Sequence, residues 1–155
     1  MSRILGIDLG TRRIGLALSD PTETVASPLV TLAHRSLRED VDQIAALCRD
    51  HAVAAVVVGW PRNMDGTSGP SARRAEEFAR ALRRVLALPV DLWDERLSSV
   101  AAERSLIQGN VRRSRRRSLR DQVAAALILQ ACLDARQRGL GVPPSGHKDK
   151  GDYDA

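Results

Sequence analysis

The chain has 155 residues, of which 43% are hydrophobic, 28% are charged and 3% are aromatic, and its formal net charge is +5. This length and apolar content are typical of one globular domain with an aliphatic core, and they exclude an intrinsically disordered chain. No apolar run reaches the roughly 20 residues that a membrane span needs, and the N-terminal residues lack a signal-peptide pattern. We therefore expect a cytoplasmic protein without a membrane partner. The basic balance favours a polyanionic partner, although arginine-rich composition alone also produces it.

The stretch from Ile4 to Asp20 predicts two antiparallel strands joined by a tight turn. Apolar residues run up to Asp8, a short link follows at 10–13, and a second run alternates apolar and small residues. Gly10 supplies the backbone freedom that a turn needs. A buried carboxylate without a partner is costly or becomes protonated, and a metal ion or a cationic group removes that cost. Asp8 is therefore the first candidate for chemistry.

The elements that follow alternate between strands and helices. They are an edge strand at 24–32 interrupted by Pro28, a helix from the Ser36–Glu39 capping box to about His51, a buried parallel strand at 54–59, a polar loop at 61–69, a helix from Pro70 to about Leu86, a strand at 89–93, a helix at 98–108, and a last helix from about Leu119 to Arg138. The first helix is predicted to bury Leu37, Val41, Ile44, Ala45 and Leu47. The order predicts an α/β fold, in which a three-strand antiparallel meander and two parallel strands form one mixed five-stranded sheet with helices on both faces.

The whole pattern indicates one domain at 1–138, followed by a disordered polar tail at 139–155. Cys48 and Cys132 fall in apolar helical patterns without metal-site spacing. We interpret both as core residues of a protein in a reducing compartment.

Four acids stand at or near predicted element ends: Asp8, Asp94, Glu95 and Asp121. In open α/β sheets, ligands bind beyond the carboxyl ends of the strands, where Asp8 and Glu95 would meet and a helix could add Asp121. Carboxylates that converge without His or Cys suit Mg²⁺ or Mn²⁺, and two such ions can hydrolyse a phosphodiester.

Each acid also has a structural interpretation. Ser118–Asp121 is itself a capping-box pattern, which favours helix capping by Asp121. Asp94 and Glu95 can be solvated loop acids that pair with Arg96. A purely structural role is least favoured for Asp8, because the strand that carries it is apolar. The residues alone leave the metal site and these alternatives open.

Four segments of the chain together resemble the motifs of the YqgF proteins, also called RuvX. The segments are 6–20 (with Gly6-Ile7-Asp8-Leu9-Gly10), 57–69 (with Asn63-Met64-Asp65-Gly66-Thr67), Asp94-Glu95-Arg96 with Ser98-Ser99, and 121–130 from Asp121-Gln122 to Leu129-Gln130. Members of this family are described as Holliday junction resolvases and as pre-16S ribosomal RNA nucleases. The resemblance implies a ribonuclease H-like fold, with Asp8, Glu95 and Asp121 as catalytic, metal-binding acids. Trp60 departs from the smaller apolar residue usual in the family, and we interpret it mainly as a packing residue.

Basic and polar residues near these motifs are candidates for nucleic-acid binding. They are Arg12, Arg13, Asn63, Arg96, Arg112, Arg113, Arg115, Arg116 and Arg117. The run at 112–117 would hold a nucleic-acid backbone beside the acids, or it is a mobile, solvated basic loop. The loop at 63–69 would contact phosphate, or it is an ordinary Asp-Gly turn.

Three functions follow from these observations. The first is a metal-dependent nuclease that acts on a structured RNA precursor, in 5′ maturation of pre-16S rRNA with ribosomal particles as partners, or on branched DNA. The second is an ATP-binding module, because Asp8-Leu9-Gly10-Thr11 also resembles the phosphate motif of the actin and sugar-kinase superfamily. That superfamily binds ATP between two such domains. The third is a non-catalytic RNA-binding factor in ribosome assembly. We expect a monomer or a weak homodimer.

Overall fold

A five-stranded mixed sheet carries helices on both faces in the computed structural model, which describes residues 2–97 and 113–139. The elements are β1 (Arg3–Leu9), β2 (Arg13–Ser19), β3 (Ala26–Ala33), α1 (Leu37–Asp50), β4 (Val53–Trp60), α2 (Pro70–Val85), β5 (Val90–Asp94), a 3₁₀ turn (Glu95–Leu97) and α3 (Arg113–Gln137). The strand order is β3-β2-β1-β4-β5, with β1, β2 and β3 antiparallel and with β4 and β5 parallel to β1. The predicted α/β class, the meander and the edge position of β3 are confirmed.

Pro28 sits where the pairing of β2 with β3 is irregular. The register shifts between Leu16 and Ala17, which face Val30 and Pro28. Proline cannot donate to a strand ladder, so it is tolerated at an edge strand or a bulge. The side chain of Gln130 from α3 covers the start of β3: its amide nitrogen donates to the Thr24 carbonyl at 2.9 Å, and its oxygen accepts from the Ala26 N–H at 2.8 Å.

The capping box of α1 is confirmed, but its buried face differs in part from the prediction. Ser36 Oγ accepts from the Glu39 N–H at 3.1 Å. Leu37 was predicted to be buried and is exposed, whereas Asp40 is only 1% exposed. The Asp40 carboxylate lies 2.5 Å from His34 Nδ1 and accepts from the Arg35 N–H at 3.1 Å. A buried carboxylate is tolerated here because these hydrogen bonds satisfy it.

Strand alternation divides the apolar side chains into two cores. Leu5 and Ile7 point to the face covered by α1 and α2, while Ile4 points to the face covered by α3. Successive side chains of a strand alternate between faces, so Gly6 and Asp8 share the face of Ile4. Cys48 belongs to the first core and Cys132 to the second, both buried and reduced, as predicted.

Two strand glycines allow α3 to lie directly on the sheet. A Cβ on Gly15 would stand 2.0 Å from the Asp121 carbonyl oxygen, and a Cβ on Gly6 would stand 2.8 Å from Leu129 Cβ. No real Cβ atom tolerates such distances. The absence of these two side chains therefore sets the depth of Asp121 against the sheet.

The predicted start of the last helix is wrong. α3 begins at Arg113 and not near Leu119, so residues 113–117 are helical and do not form a basic loop. Asp121 lies more than two turns inside the helix, and the predicted capping role of Ser118–Asp121 is wrong as well. The physical reason is that arginine is a good helix former and that the run contains neither Gly nor Pro.

Three predicted features lie outside the described residues: the helix at 98–108, residue Arg112 and the tail beyond Gly139. In the described part of the chain, no helix has the length and apolar character needed to cross a membrane.

Candidate active site

A cavity of about 370 Å³ lies at the end of the sheet where β1 ends and β2 begins. Its lining consists of Asp8, Leu9, Gly10, Thr11, Arg12, Arg13, Pro61, Ser71, Glu95 and Asp121. The three acids that the family resemblance singles out therefore share one cavity with two of the predicted arginines. They come from three elements that are distant in sequence.

Asp8 stands on the α3 face of β1, one residue before the strand ends. It is 5% exposed, and the apolar residues before it fix the strand in the centre of the sheet. Strand alternation alone directs its side chain to the face that also carries Asp121.

Glu95 follows β5 directly and reaches across the end of β4. A Cβ on Gly59 would stand 2.7 Å from Glu95 Oε2, so the carboxylate occupies the space that a larger residue on β4 would fill. Sequence reasoning missed this role of Gly59. The available signal was a glycine that closes an otherwise continuous apolar strand.

Asp121 lies on the side of α3 that faces the sheet. Ala125, Ile128 and Leu129 are buried at the helical spacing from it, so the periodicity that buries α3 also directs Asp121 inward. Asp121 Oδ2 accepts from Arg13 Nε at 2.7 Å, and both side chains are mostly buried. Arg13 was predicted to bind nucleic acid, and in this structure it pairs with an acid of the cavity.

The donors at the cavity suit a hard divalent cation in their chemistry, because all three are carboxylates. Among residues 2–97 and 113–139, however, no three His, Cys, Asp or Glu side chains stand close enough together to hold a metal ion. The guanidinium of Arg13 occupies the cationic position beside Asp121. An ion held by the three carboxylates would share Asp121 with the guanidinium of Arg13.

Asp94 does not line the cavity and pairs with Arg96, as predicted, but it ends β5 with a side chain only 14% exposed and is not a solvated loop acid. Its carboxylate accepts from Arg96 Nε at 3.0 Å and Nη2 at 2.7 Å, and Arg62 Nη1 lies 3.6 Å away. The hydrogen bond from the Arg96 guanidinium holds the pKa of Asp94 below its usual range. The ion pair of Asp94 with Arg62 ties the end of β5, and with it Glu95, to the loop after β4.

That loop, at 61–69, is bonded largely to itself. The Asn63 N–H donates to the Thr67 carbonyl at 2.9 Å, and Asn63 Nδ2 donates to Thr67 Oγ1 at 2.9 Å. Several donors that were predicted to contact phosphate are therefore engaged within the loop. Trp60 packs against the first core, donates to Glu76 Oε2 at 2.8 Å and stacks under Arg62, whose guanidinium carbon lies 4.4 Å from the ring centre. The packing interpretation of Trp60 is confirmed.

The remaining candidates lie on the first turns of α3. The backbone of Arg113, Arg115, Arg116 and Arg117 is helical, and these turns precede Asp121 on the same helix.

This sheet order, with α3 packed across one face, defines a ribonuclease H-like fold. The structure is similar to that of T. thermophilus RuvC in complex with a Holliday junction substrate, with a TM-score of 0.60 and 14% identity over 91% of this chain and 98% of that chain. It is also similar to the yeast mitochondrial Holliday junction resolvase, with a TM-score of 0.51 and 12% identity over 99% of this chain and 85% of that chain. At such low identities these likenesses concern the fold alone.

Sequence comparison identifies the family. The model of the family described as "RuvX: Holliday junction resolvase" matches residues 2–135. A protein of Syntrophomonas wolfei named "Putative pre-16S rRNA nuclease" is 47% identical over 137 residues, which cover 88% of this chain and 97% of that protein. A protein of Myxococcus xanthus with the same name is 44% identical over 153 residues, covering 99% of this chain and 98% of that protein. The chain belongs to the RuvX family.

Proposed function

We propose that this protein is a nuclease that hydrolyses phosphodiester bonds in the precursor of 16S rRNA, with Asp8, Glu95 and Asp121 as its catalytic acids. The observation that carries the proposal is the cavity that these acids share with Arg12 and Arg13. Membership in the RuvX family and the relatives named for pre-16S rRNA support this substrate. The substrate would place the protein with ribosomal particles in the cytoplasm, at the 5′ maturation step.

The chain's own residues would divide the work as follows. Asp8, Glu95 and Asp121 would hold Mg²⁺ or Mn²⁺, which when bound supplies an activated water and neutralises charge on the phosphate. The nearly complete burial of Asp8 removes it from bulk water, which strengthens the attraction of its carboxylate for cations. Arg12 and Arg13 line the same cavity and can donate to phosphate oxygens.

Residues outside the cavity would bind the flanking backbone. The arginines at 112, 113 and 115–117 would follow the strand, and each phosphate contact adds to the salt dependence of binding. Asn63 and Arg96 would contribute from the loop at 61–69 and from the end of β5. Both now hold that region together and would contact the substrate with their remaining donors.

Branched DNA is the second candidate substrate, because the family description names Holliday junction resolvases. Resolution of a four-way junction needs two symmetric cuts and hence a dimer. A four-way DNA junction therefore belongs in the same assay as the RNA.

The test is a cleavage assay with Mg²⁺ or Mn²⁺ on three substrates: a pre-16S rRNA fragment, single-stranded RNA and a four-way DNA junction. The proteins are the wild type, Asp8→Asn, and Asp42→Asn as a matched control on the exposed side of α1. We expect the wild type and Asp42→Asn to cut the rRNA fragment. Asp8→Asn should bind it without cutting, since loss of one negative charge leaves phosphate binding intact. If no protein cuts any substrate while all bind RNA equally, the chain is a non-catalytic binding factor.

A further inference from the structure

Met64 is 87% exposed, more than any other large hydrophobic side chain in the two described ranges. Single apolar residues on a protein surface are common and need no explanation by themselves. Met64 differs from them because its backbone is fixed and because its loop begins at Pro61, which lines the cavity.

Hydrogen bonds on both sides hold the backbone of Met64 in a tight turn. The Gly66 N–H donates to the Asn63 carbonyl at 2.8 Å, which closes a four-residue turn with Met64 as its second residue. Asp65 Oδ1 accepts from the Thr67 N–H at 3.0 Å and from the Thr67 hydroxyl at 2.7 Å. Gly66 supplies the positive φ of 89° that the chain needs at this point. The turn therefore presents the Met64 side chain to solvent at a defined position.

Two contacts tie this turn to the candidate active site. Arg96 Nη1 donates to the Met64 carbonyl at 3.2 Å, and Arg96 is the residue after Glu95. Pro61, at the start of the same loop, lines the cavity. Arg62 donates to the Gly66 carbonyl. Arg62 and Arg96 also share Asp94 as an ion-pair partner, so the two guanidinium groups lie together beside the turn. The exposed Met64 side chain thus stands on a turn that two guanidinium groups join to the end of β5, next to Glu95.

We propose that Met64 binds a nucleobase of the substrate strand next to the cleaved phosphate, packing its thioether against the base and displacing it from its neighbour. This inference rests on the proposed nuclease function. Its chemistry is that of apolar side chains, methionine among them, which insert between base steps and unstack them. The polarisable sulfur makes favourable contacts with aromatic rings. Arg62 and Arg96, which lie together beside the turn, would attract the backbone phosphate next to that base. The ligand class is an RNA base at the border between duplex and single strand, where unstacking costs least.

The test uses stem–loop RNAs that each carry one 2-aminopurine, placed in turn through the border between duplex and single strand. Binding is measured in Ca²⁺, so that the RNA is bound without being cleaved. The readout is 2-aminopurine fluorescence, which rises when the base loses its stacking. The proteins are the wild type, Met64→Ala, the conservative Met64→Leu, and Val85→Ala. Val85 is a matched control because it is also exposed and lies at the opposite end of α2. A parallel assay measures the Kd by anisotropy.

We expect the wild type, Met64→Leu and Val85→Ala to raise the fluorescence at one label position. Met64→Ala should bind about 2- to 12-fold more weakly, the range expected for one sulfur–aromatic contact, and should leave the fluorescence low when saturated. A rise of equal size with Met64→Ala, or no rise at any position with bound wild type, overturns the base contact and leaves the nuclease proposal standing. Failure of the wild type to bind any of the RNAs overturns both.

Discussion

The ion pair between Arg13 and Asp121 sets the charge balance of the cavity. In the structure the guanidinium neutralises one of the three acids at a distance of 2.7 Å. A cation bound by the three acids would compete with the guanidinium of Arg13 for the carboxylate of Asp121. A guanidinium freed from Asp121 would be able to donate to a phosphate, so Arg13 would have two successive partners.

Replacing Arg13 by Gln should therefore change metal binding and nucleic-acid binding in opposite directions. Mn²⁺ should bind several-fold more tightly, because Asp121 loses its competing cation. Nucleic acid should bind more weakly, with a salt dependence reduced by about one phosphate contact. Isothermal titration with Mn²⁺ and anisotropy at several salt concentrations measure the two effects.

Arg12→Gln is the matched control for Arg13→Gln. Arg12 lines the same cavity, so its loss should weaken nucleic-acid binding while it leaves Mn²⁺ affinity nearly unchanged. A lower Mn²⁺ affinity of Arg13→Gln than of the wild type would show that Arg13 supports the cation site and does not compete with it.

At the scale of elements, the close packing of α3 on β1 and β2 positions Asp121. Gly15 makes this packing possible because any side chain there would meet the Asp121 backbone. Backbone atoms cannot rotate aside as a flexible side chain can, so a Cβ at this point must displace the helix.

Gly15→Ala should thus lower the free energy of unfolding by about 2–3 kcal/mol, as overpacking in a core does. It should also abolish cleavage in the folded fraction by moving Asp121. Gly69→Ala is the control, because its Cβ would meet only the Asn63 side chain at 3.6 Å. Urea unfolding followed by circular dichroism measures both variants. Equal stability of Gly15→Ala and the wild type would mean that α3 does not lie this close to β2.

The strands and the first two helices could be predicted because their signals are local. Apolar runs, the Ser36 capping box, and Pro70 at the start of α2 each act within a few residues. The start of α3 was predicted wrongly because Ser118–Asp121 satisfies a capping pattern while the helix continues through it.

The residues of the candidate site also fall into those that a local pattern in the sequence reveals and those that it does not. Asp8 could be singled out because an acid interrupts an apolar strand, whereas Asp121 needed the family resemblance. The pairing of Arg13 with Asp121, the space that Gly59 leaves for Glu95 and the burial of Asp40 depend on contacts between distant segments. No local pattern in one sequence encodes such contacts.

At the scale of the whole molecule, one sheet separates two cores, and the central strands β1, β2 and β4 contribute side chains to both of them. Cys48 lies in the core under α1 and α2, and Cys132 lies in the core under α3. Burial raises the pKa of each thiol to about 11. Because both cores depend on the same sheet, we expect them to unfold together.

Both thiols should therefore be inert to Ellman's reagent at pH 8 in the native protein, and both should react over the same range of urea concentration. The thiolate is the reactive form, and burial suppresses it and blocks access. Unfolded thiols ionise near pH 8.5, so the stability contributed by these groups is complete below that pH and declines as the pH rises towards 11. Mass spectrometry of the labelled peptides resolves the two sites. Reaction of Cys132 well before Cys48 would show that α3 detaches as a separate unit.

The most direct measurement is the single-turnover cleavage rate of four variants on the pre-16S rRNA fragment: Asp8→Asn, Glu95→Gln, Asp121→Asn and the triple variant. If the three acids act as one site, each single variant should lose about as much activity as the triple variant, because groups that act as a unit are not additive. All four should still fold and bind the RNA. Full activity of Asp121→Asn, or losses that add up across the three acids, would contradict a single site built from β1, the end of β5 and α3.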